Sequence, residues 1–304
     1  MPPFKQIEEE EMERVAVIGA GTMGTGIAQT CAESGYEVLL FDRNRESLEK
    51  ALSTIKTYLN RSVTKEKMTA RDRDVIFNRI RICTDCNELK EVDYLTEAVT
   101  ERTSIKQEVF KKLESVCRED VIFATNSSGL SITELASALK YPHRIIGTHY
   151  FYPVPKMKLV EIVRGAQTSD ETASTALRFT QSLGKKAIEV KESPLFVFNR
   201  ILIPMINEAI FVLQEGLCRK EEIDEAMTLG ANHPIGPLAL ADVIGLDTLL
   251  YVSETLHTET GDPKYRPPLL LRQMVRAGQL GRKTSKGFYE YISDNCRERK
   301  EIIG

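Results

Sequence analysis

Apolar residues in the first two thirds of the chain gather into short solid runs, separated by longer stretches where they recur every three or four positions. The runs 14–18 (RVAVI) and 37–41 (EVLLF) have the density of strands buried on both faces, and 79–84, 93–99, 121–124, 144–148, 158–163 and 185–191 repeat it. Between them, 22–34, 44–60, 69–78, 103–116, 132–139 and 171–183 carry helical spacing. In 103–116, Ile105, Val109, Leu113 and Val116 form one stripe that needs a sheet to cover it. Strands alternating with helices predict an α/β fold, a doubly wound and mostly parallel sheet with helices on both faces.

The pattern changes at Glu192-Ser193-Pro194. Beyond it the spacing predicts helices over 195–215, 220–229, 237–244, 246–258 and 267–277, with one short strand at 288–291. Pro204 should kink or locally open the first of these helices, and Gly216, Gly230, Gly245 and Gly278 stand where helix ends take a left-handed residue. The expected division is an α/β domain over 1–192, with a charged lead at 1–13 and a helical arm at 44–78, followed by an all-α C-terminal domain over 193–304. Asn44 and Thr69 are the expected caps of the two arm helices.

Gly19, Gly21 and Gly24 follow the first strand at once in the spacing G-x-G-x-x-G, and a helix follows them. The first glycine permits the tight turn, the second admits a pyrophosphate against the backbone, and the third lets the helix pack on the sheet. The free N–H groups at the helix start suit an anion. Asp42, ending the second strand, can accept hydrogen bonds from both hydroxyls of an adenosine ribose and would repel a 2′-phosphate, which favours NAD over NADP. Arg43 beside it weakens that preference. Together these features identify a Rossmann-type domain.

Composition narrows the partners. With 304 residues, 42% hydrophobic, and 41 basic against 44 acidic side chains, the formal charge is −3. No basic excess points to nucleic acid or a membrane surface. No run approaches the length of a membrane span, and the N-terminal stretch lacks the apolar core of a signal peptide, so the cytoplasm is the expected compartment. Of six cysteines only Cys83 and Cys86 lie close enough for C-x-x-C, without a second pair; reduced thiols and no metal site are expected.

In a parallel sheet the ligand crevice lies beyond the carboxyl ends of the strands, where Glu97 to Glu101, Ser127-Ser128 and His149 fall. Glu161, between Leu159 and Val163 on an otherwise apolar strand, points a carboxylate inward, where an imidazolium is the natural partner. A His149–Glu161 pair would fix the tautomer and leave one nitrogen to take a proton from an alcohol. Alternatives stay open at this level: Glu161 bonded to backbone or to Lys158, His149 a core histidine, Ser128 a turn or cap residue, Asn199 a capping or buried amide.

The segments VIGAGTMGTGIA, EAVTER, ATNSSGLSIT, GTHYFYPVPKMKLVE, SPLFVFNRILIPMINEA, GANHPIGPLALADVIGLD and GRKTSKGFYEY resemble the L-3-hydroxyacyl-CoA (3-hydroxybutyryl-CoA) dehydrogenases over nearly the whole chain. The resemblance implies an NAD-binding domain, a helical domain that dimerises, substrate in the cleft between them, and interconversion of a 3-hydroxyacyl thioester with its 3-oxo form. It implies that His149 is the general base with Glu161 as partner, and that Ser128 and Asn199 hold the 3-oxygen. Met23, Ala98 and Glu101 would lie on the cofactor side, and Lys106 near the nicotinamide ribose. One departure stands out. Where the family has H-F-F-N-P, this chain has His149-Tyr150-Phe151-Tyr152-Pro153, and Arg102 replaces a common Asn. Substrate-proximal Tyr152 and that added charge suggest a smaller or more anionic acyl group. The alternatives are a biosynthetic enzyme whose hydroxyacyl group rides on an acyl carrier protein, and an inactive NAD-binding protein on the same scaffold.

Overall fold

A computed structural model describes residues 12–291. Most of the charged lead at 1–13, and Cys296, lie outside the described residues. The chain divides after Phe196 into two compact units.

The first unit runs β1 (Arg14–Ile18), α1 (Thr22–Glu33), β2 (Glu37–Phe41), α2 (Arg45–Thr64), α3 (Ala70–Asn78), β3 (Ile80–Cys83), β4 (Tyr94–Glu97), α4 (Thr103–Glu114), β5 (Ile122–Thr125), α5 (Ile132–Ala136), β6 (Ile145–Tyr150), β7 (Leu159–Arg164), α6 (Asp170–Ser182) and β8 (Lys186–Lys191). Its strands form one sheet in the order β3-β2-β1-β4-β5-β6-β7-β8. The strand order reverses between β1 and β4, which opens a crevice at their carboxyl ends. The strands from β3 to β6 in that order run parallel; β7 turns back antiparallel to β6, and β8 runs parallel to β7. The alternation of side chains along β1 explains the two-faced core: Val15 and Val17 join one apolar cluster with Ile27 and Leu40, while Ala16 and Ile18 join another with Leu95, Phe110 and Phe123. Asn44 accepts from the amides of Glu46 and Ser47, and Thr69 with Asp72 forms a capping box, so both expected caps are present. Each stabilises its helix by about 1 kcal/mol.

The second unit holds α7 (Phe198–Gln214), α8 (Lys220–Gly230), α9 (Pro237–Ile244), α10 (Leu246–Thr260) and α11 (Leu269–Arg276). Three expectations need correction here. The strand expected at 288–291 does not form. The amides of Phe288 and Tyr289 each donate to the Asp242 carboxylate at 2.9 Å, leaving isolated bridges at Lys286. Gly230 ends α8 without a left-handed turn, and that conformation falls on Asn232 (φ 55°), whereas Gly216, Gly245 and Gly278 do adopt it. Finally, α7 begins three residues later than the apolar spacing suggests, because Leu195 and Phe196 have φ of 57° and 61° and a right-handed helix cannot pass through them. From Phe198 it runs continuously through Pro204.

Candidate active site

The glycine turn has the shape its spacing demands. Gly19, at φ 105°, donates its N–H to Phe41 O (2.8 Å), and a Cβ there would lie 2.7 Å from Ala98 O. A Cβ on Gly24 would lie 1.8 Å from Gly19 O, so the third glycine is where helix meets turn. Gly21 differs: nothing lies within 4 Å of its would-be Cβ, and as N-cap of α1 it brings no side chain to the first-turn amides. Those amides face an open approach, as a pyrophosphate requires. Asp42 is held at the end of β2 by the amides of Ala20 (2.8 Å) and Asn44 (2.9 Å). Met23 is half-buried in the first turn of α1, and Ala98, also half-buried, donates its N–H to Ile18 O at 2.7 Å. The turn, the uncapped helix and the fixed carboxylate fit a dinucleotide.

Beyond β4 the structure assembles a network that sequence reasoning saw only in part. Lys106 Nζ is fully buried and donates to both oxygens of Glu97 (2.8 and 2.9 Å), with Glu101 Oε2 at 3.2 Å. The resemblance puts Lys106 beside the nicotinamide ribose; here its ammonium touches protein and bears on the crevice through Glu101. Glu101 Oε1 in turn accepts from Ser127 Oγ (2.5 Å) and from the amide of Ser128 (2.7 Å), so it fixes the loop after β5 and leaves Ser128 exposed at its tip. Glu97 was named in the sequence only as the first residue of the stretch 97–101 and was given no role, although a lone carboxylate closing an apolar strand was the available signal. Burial raises its pKa; Lys106, Thr125 Oγ1 (2.7 Å) and the amide of Val99 (2.6 Å) oppose that rise.

His149 and Glu161 are brought together by strand register. They sit opposite one another in the antiparallel β6–β7 ladder, and His149 Nδ1–H donates to Glu161 Oε2 at 2.7 Å. β6 ends at Tyr150, two residues beyond the expected strand end, because β7 extends the ladder that far, so His149 lies within the strand. The Glu161 side chain is wholly buried, and the imidazole is flanked by Phe151 (ring centroids 4.5 Å apart) and Phe196 (5.7 Å). An ionised carboxylate can only accept, which assigns the proton to Nδ1; in the neutral ring Nε2 then carries a free lone pair. Asn199, the fourth residue expected to act, is the second residue of α7 in the other unit and is half-buried.

A groove of about 670 Å³ runs beside the glycine turn, between α1, α2 and the connection 152–156. Gly21 and Thr22 line it on one side, Tyr152 on another, and Lys50, Lys67 and Lys156 make it basic. Tyr152 is 61% exposed. Lys56, on the same helix as Lys50, instead lies over the Phe77 ring at 5.7 Å. The five described cysteines are free, and burial pushes the Cys83 thiol to about 11, which leaves little thiolate for metal or redox work. Among the described residues no cluster of acidic, histidine and cysteine side chains could hold a metal, and no helix is long and apolar enough to cross a membrane.

Comparison with known proteins agrees with this geometry. Residues 14–193 match the family model "3-hydroxyacyl-CoA dehydrogenase, NAD binding domain", and 196–291 match "3-hydroxyacyl-CoA dehydrogenase, C-terminal domain". The chain is 50% identical over 278 residues to a 3-hydroxybutyryl-CoA dehydrogenase of Clostridioides difficile, covering 91% of this chain and 99% of that protein. It is 48% identical over 281 residues to a probable 3-hydroxybutyryl-CoA dehydrogenase of Bacillus subtilis, covering 92% and 98%. Among solved structures, the (S)-3-hydroxybutyryl-CoA dehydrogenase of Ralstonia eutropha superposes with a TM-score of 0.91 at 50% identity, covering 93% of this chain and all of that one.

Proposed function

Since the chain belongs to the 3-hydroxyacyl-CoA dehydrogenase family, and is an NAD-dependent enzyme acting on a CoA thioester, we propose that its substrate pair is 3-hydroxybutyryl-CoA and acetoacetyl-CoA. Support comes from the relatives at 48–50% identity, which carry that activity in their names. They favour an uncharged four-carbon group over the anionic one that Tyr152 and Arg102 suggest. The CoA moiety is assigned to the basic groove, whose lysines suit phosphates and whose far end adjoins the dinucleotide turn.

The observation that carries the chemistry is the buried 2.7 Å bond from His149 to Glu161. Bound NAD supplies a two-electron acceptor for the hydrogen on C3. His149 Nε2 accepts the hydroxyl proton, and the Glu161 carboxylate orients the ring and stabilises the imidazolium that forms. Ser128 and Asn199 hold the 3-oxygen as it gains charge, a role supported for both by their motifs. Glu101, held by Lys106, and Ala98 and Met23 border the cofactor; Gly19, Gly21 and Gly24 admit its pyrophosphate, and Asp42 takes the adenosine ribose.

The α/β domain over 1–192 thus carries cofactor and base, and the helical domain over 193–304 is assigned to substrate and to a homodimer. The exposed Ile201, Leu217, Leu229 and Tyr251 of the second unit give that dimer apolar surface. The unpaired thiols are in keeping with the cytoplasm. NADH oxidation by acetoacetyl-CoA, set against a carrier-protein thioester and against Tyr152→Asn, tests the substrate. Turnover confined to the carrier protein, or to an acyl group bearing a second charge, would overturn it.

A further inference from the structure

The connection 151–158 leaves the sheet after Tyr150 and re-enters at Leu159; Pro153 O accepts from the amides of Lys156 and Met157 and Lys158 O from that of Lys186, while Val154 O and Met157 O lie outside these backbone bonds. Buried carbonyls need donors. Two of them receive the same one: Lys185, the residue before β8, is 8% exposed, and its ammonium donates to Val154 O at 2.7 Å and Met157 O at 2.8 Å. The loop is also pinned at α1, where Val154, 1% exposed, fills the space left by Gly26. A Cβ on that glycine would come within 2.9 Å of the Val154 Cβ.

Five residues of this connection, Tyr152 to Lys156, also form a wall of the basic groove, which Lys185 does not itself line. Lys185 instead borders a smaller neighbouring hollow of about 280 Å³, together with Ser34 and Gly184, and the two share Glu33, Pro155 and Lys156. A long cationic side chain thus reaches from the edge of the sheet to hold two carbonyls of a loop whose residues 152–156 line the groove. The same loop joins the strand of His149 to that of Glu161.

We propose that Lys185 is a positioning residue for the reaction: acting through the Val154 and Met157 carbonyls, it fixes the shape of the substrate wall and leaves the proton-transfer pair alone. This rests on the assignment of the groove to the CoA thioester. A lysine serving stability alone would shift thermal unfolding without separating the kinetic constants.

The experiment is steady-state kinetics with acetoacetyl-CoA and NADH on wild type, Lys185→Met, Lys185→Gln and the groove variant Lys67→Ala. Loss of two charge-assisted bonds in Lys185→Met should raise KM for acetoacetyl-CoA about tenfold, with KM for NADH and kcat within about threefold. Lys185→Gln keeps two N–H donors and should raise that KM about threefold. If Lys67→Ala raises KM and neither Lys185 variant does, the role of Lys185 is refuted and the groove assignment stands. If none of the three moves it, the groove assignment fails and takes this inference with it. A fall in kcat alone, or equal rises for both substrates, would show Lys185 to be structural. Should Lys185→Met not fold, the Lys185→Gln result decides the matter by itself.

Discussion

At the scale of single residues, the buried carboxylate of Glu161 makes two demands that separate variants can tell apart. His149→Gln keeps an amide donor for Glu161 and removes the base, so turnover should fall by about 10²–10⁴-fold while the fold and NADH binding survive. His149→Leu should lose activity equally but also lower stability in urea unfolding more than His149→Gln does, since it removes a donor from a buried carboxylate. Glu161→Gln can present N–H to Nδ1 and force the wrong tautomer, with a kcat loss of as much as about 10⁴-fold; retention of full activity would mean that the imidazole needs no orienting partner. A further expectation concerns pH. Burial raises the Cys31 thiol from 9.0 to about 12. Its contribution to stability is therefore complete below pH 9 and is lost as pH climbs towards 12, by about 1.4 kcal/mol per unit. Between pH 8 and 10, Cys31→Ala should lose about 1 kcal/mol less than wild type in urea unfolding. Not all of this was equally visible in sequence. Glu161 announced itself as a lone acid in an apolar strand. The burial of Lys106 did not, because its stem has helical spacing either way and only tertiary packing shows which carboxylates enclose it.

At the scale of elements, the glycine turn offers the sharpest contrast. Gly21→Ala meets open space and should fold with unchanged thermal midpoint, yet bind NADH at least about tenfold more weakly, because the methyl occupies the pyrophosphate's approach. Gly24→Ala collides with Gly19 O and should lose both stability and cofactor binding. Equal effects in calorimetry and NADH titration would remove the distinction drawn between packing glycine and ligand glycine. The strand, turn and helix here were legible because every local preference points the same way. The direction of β7 was legible in principle too, since 151–158 is too short for a crossover back to a parallel neighbour. The start of α7 was not. Leu195 and Phe196 adopt left-handed backbone with ordinary side chains, and nothing in residue type marks them. Their conformation is held by surroundings: Leu195 lies over Gly129, and the Phe196 ring packs near His149.

At the scale of the whole molecule, ligand and assembly shift stability by mass action. NADH at a hundredfold excess over its Kd should stabilise the native state by about 2.7 kcal/mol, and Gly21→Ala should cut that increment to about 1.4 kcal/mol or less at the same concentration. Light scattering should report twice the chain mass; a monomer would refute the proposed dimer and leave the exposed leucines of the second unit without an occupant. The sequence carried the two-part organisation through its change from strand-and-helix alternation to helices alone. It could not carry the closing segment 281–291, where the amides of Phe288 and Tyr289 answer to the distant Asp242 carboxylate and not to a neighbouring strand. The rungs of the β6–β7 ladder have one more implication. Histidine and glutamate are each anchored by their own strand, and the eight residues 151–158 between them hold the dyad neither together nor apart. Tyr152 and Lys156, exposed positions of that interval, can therefore be exchanged without touching the His149–Glu161 bond, so the wall facing the acyl thioester can be remodelled while the acid–base couple is kept.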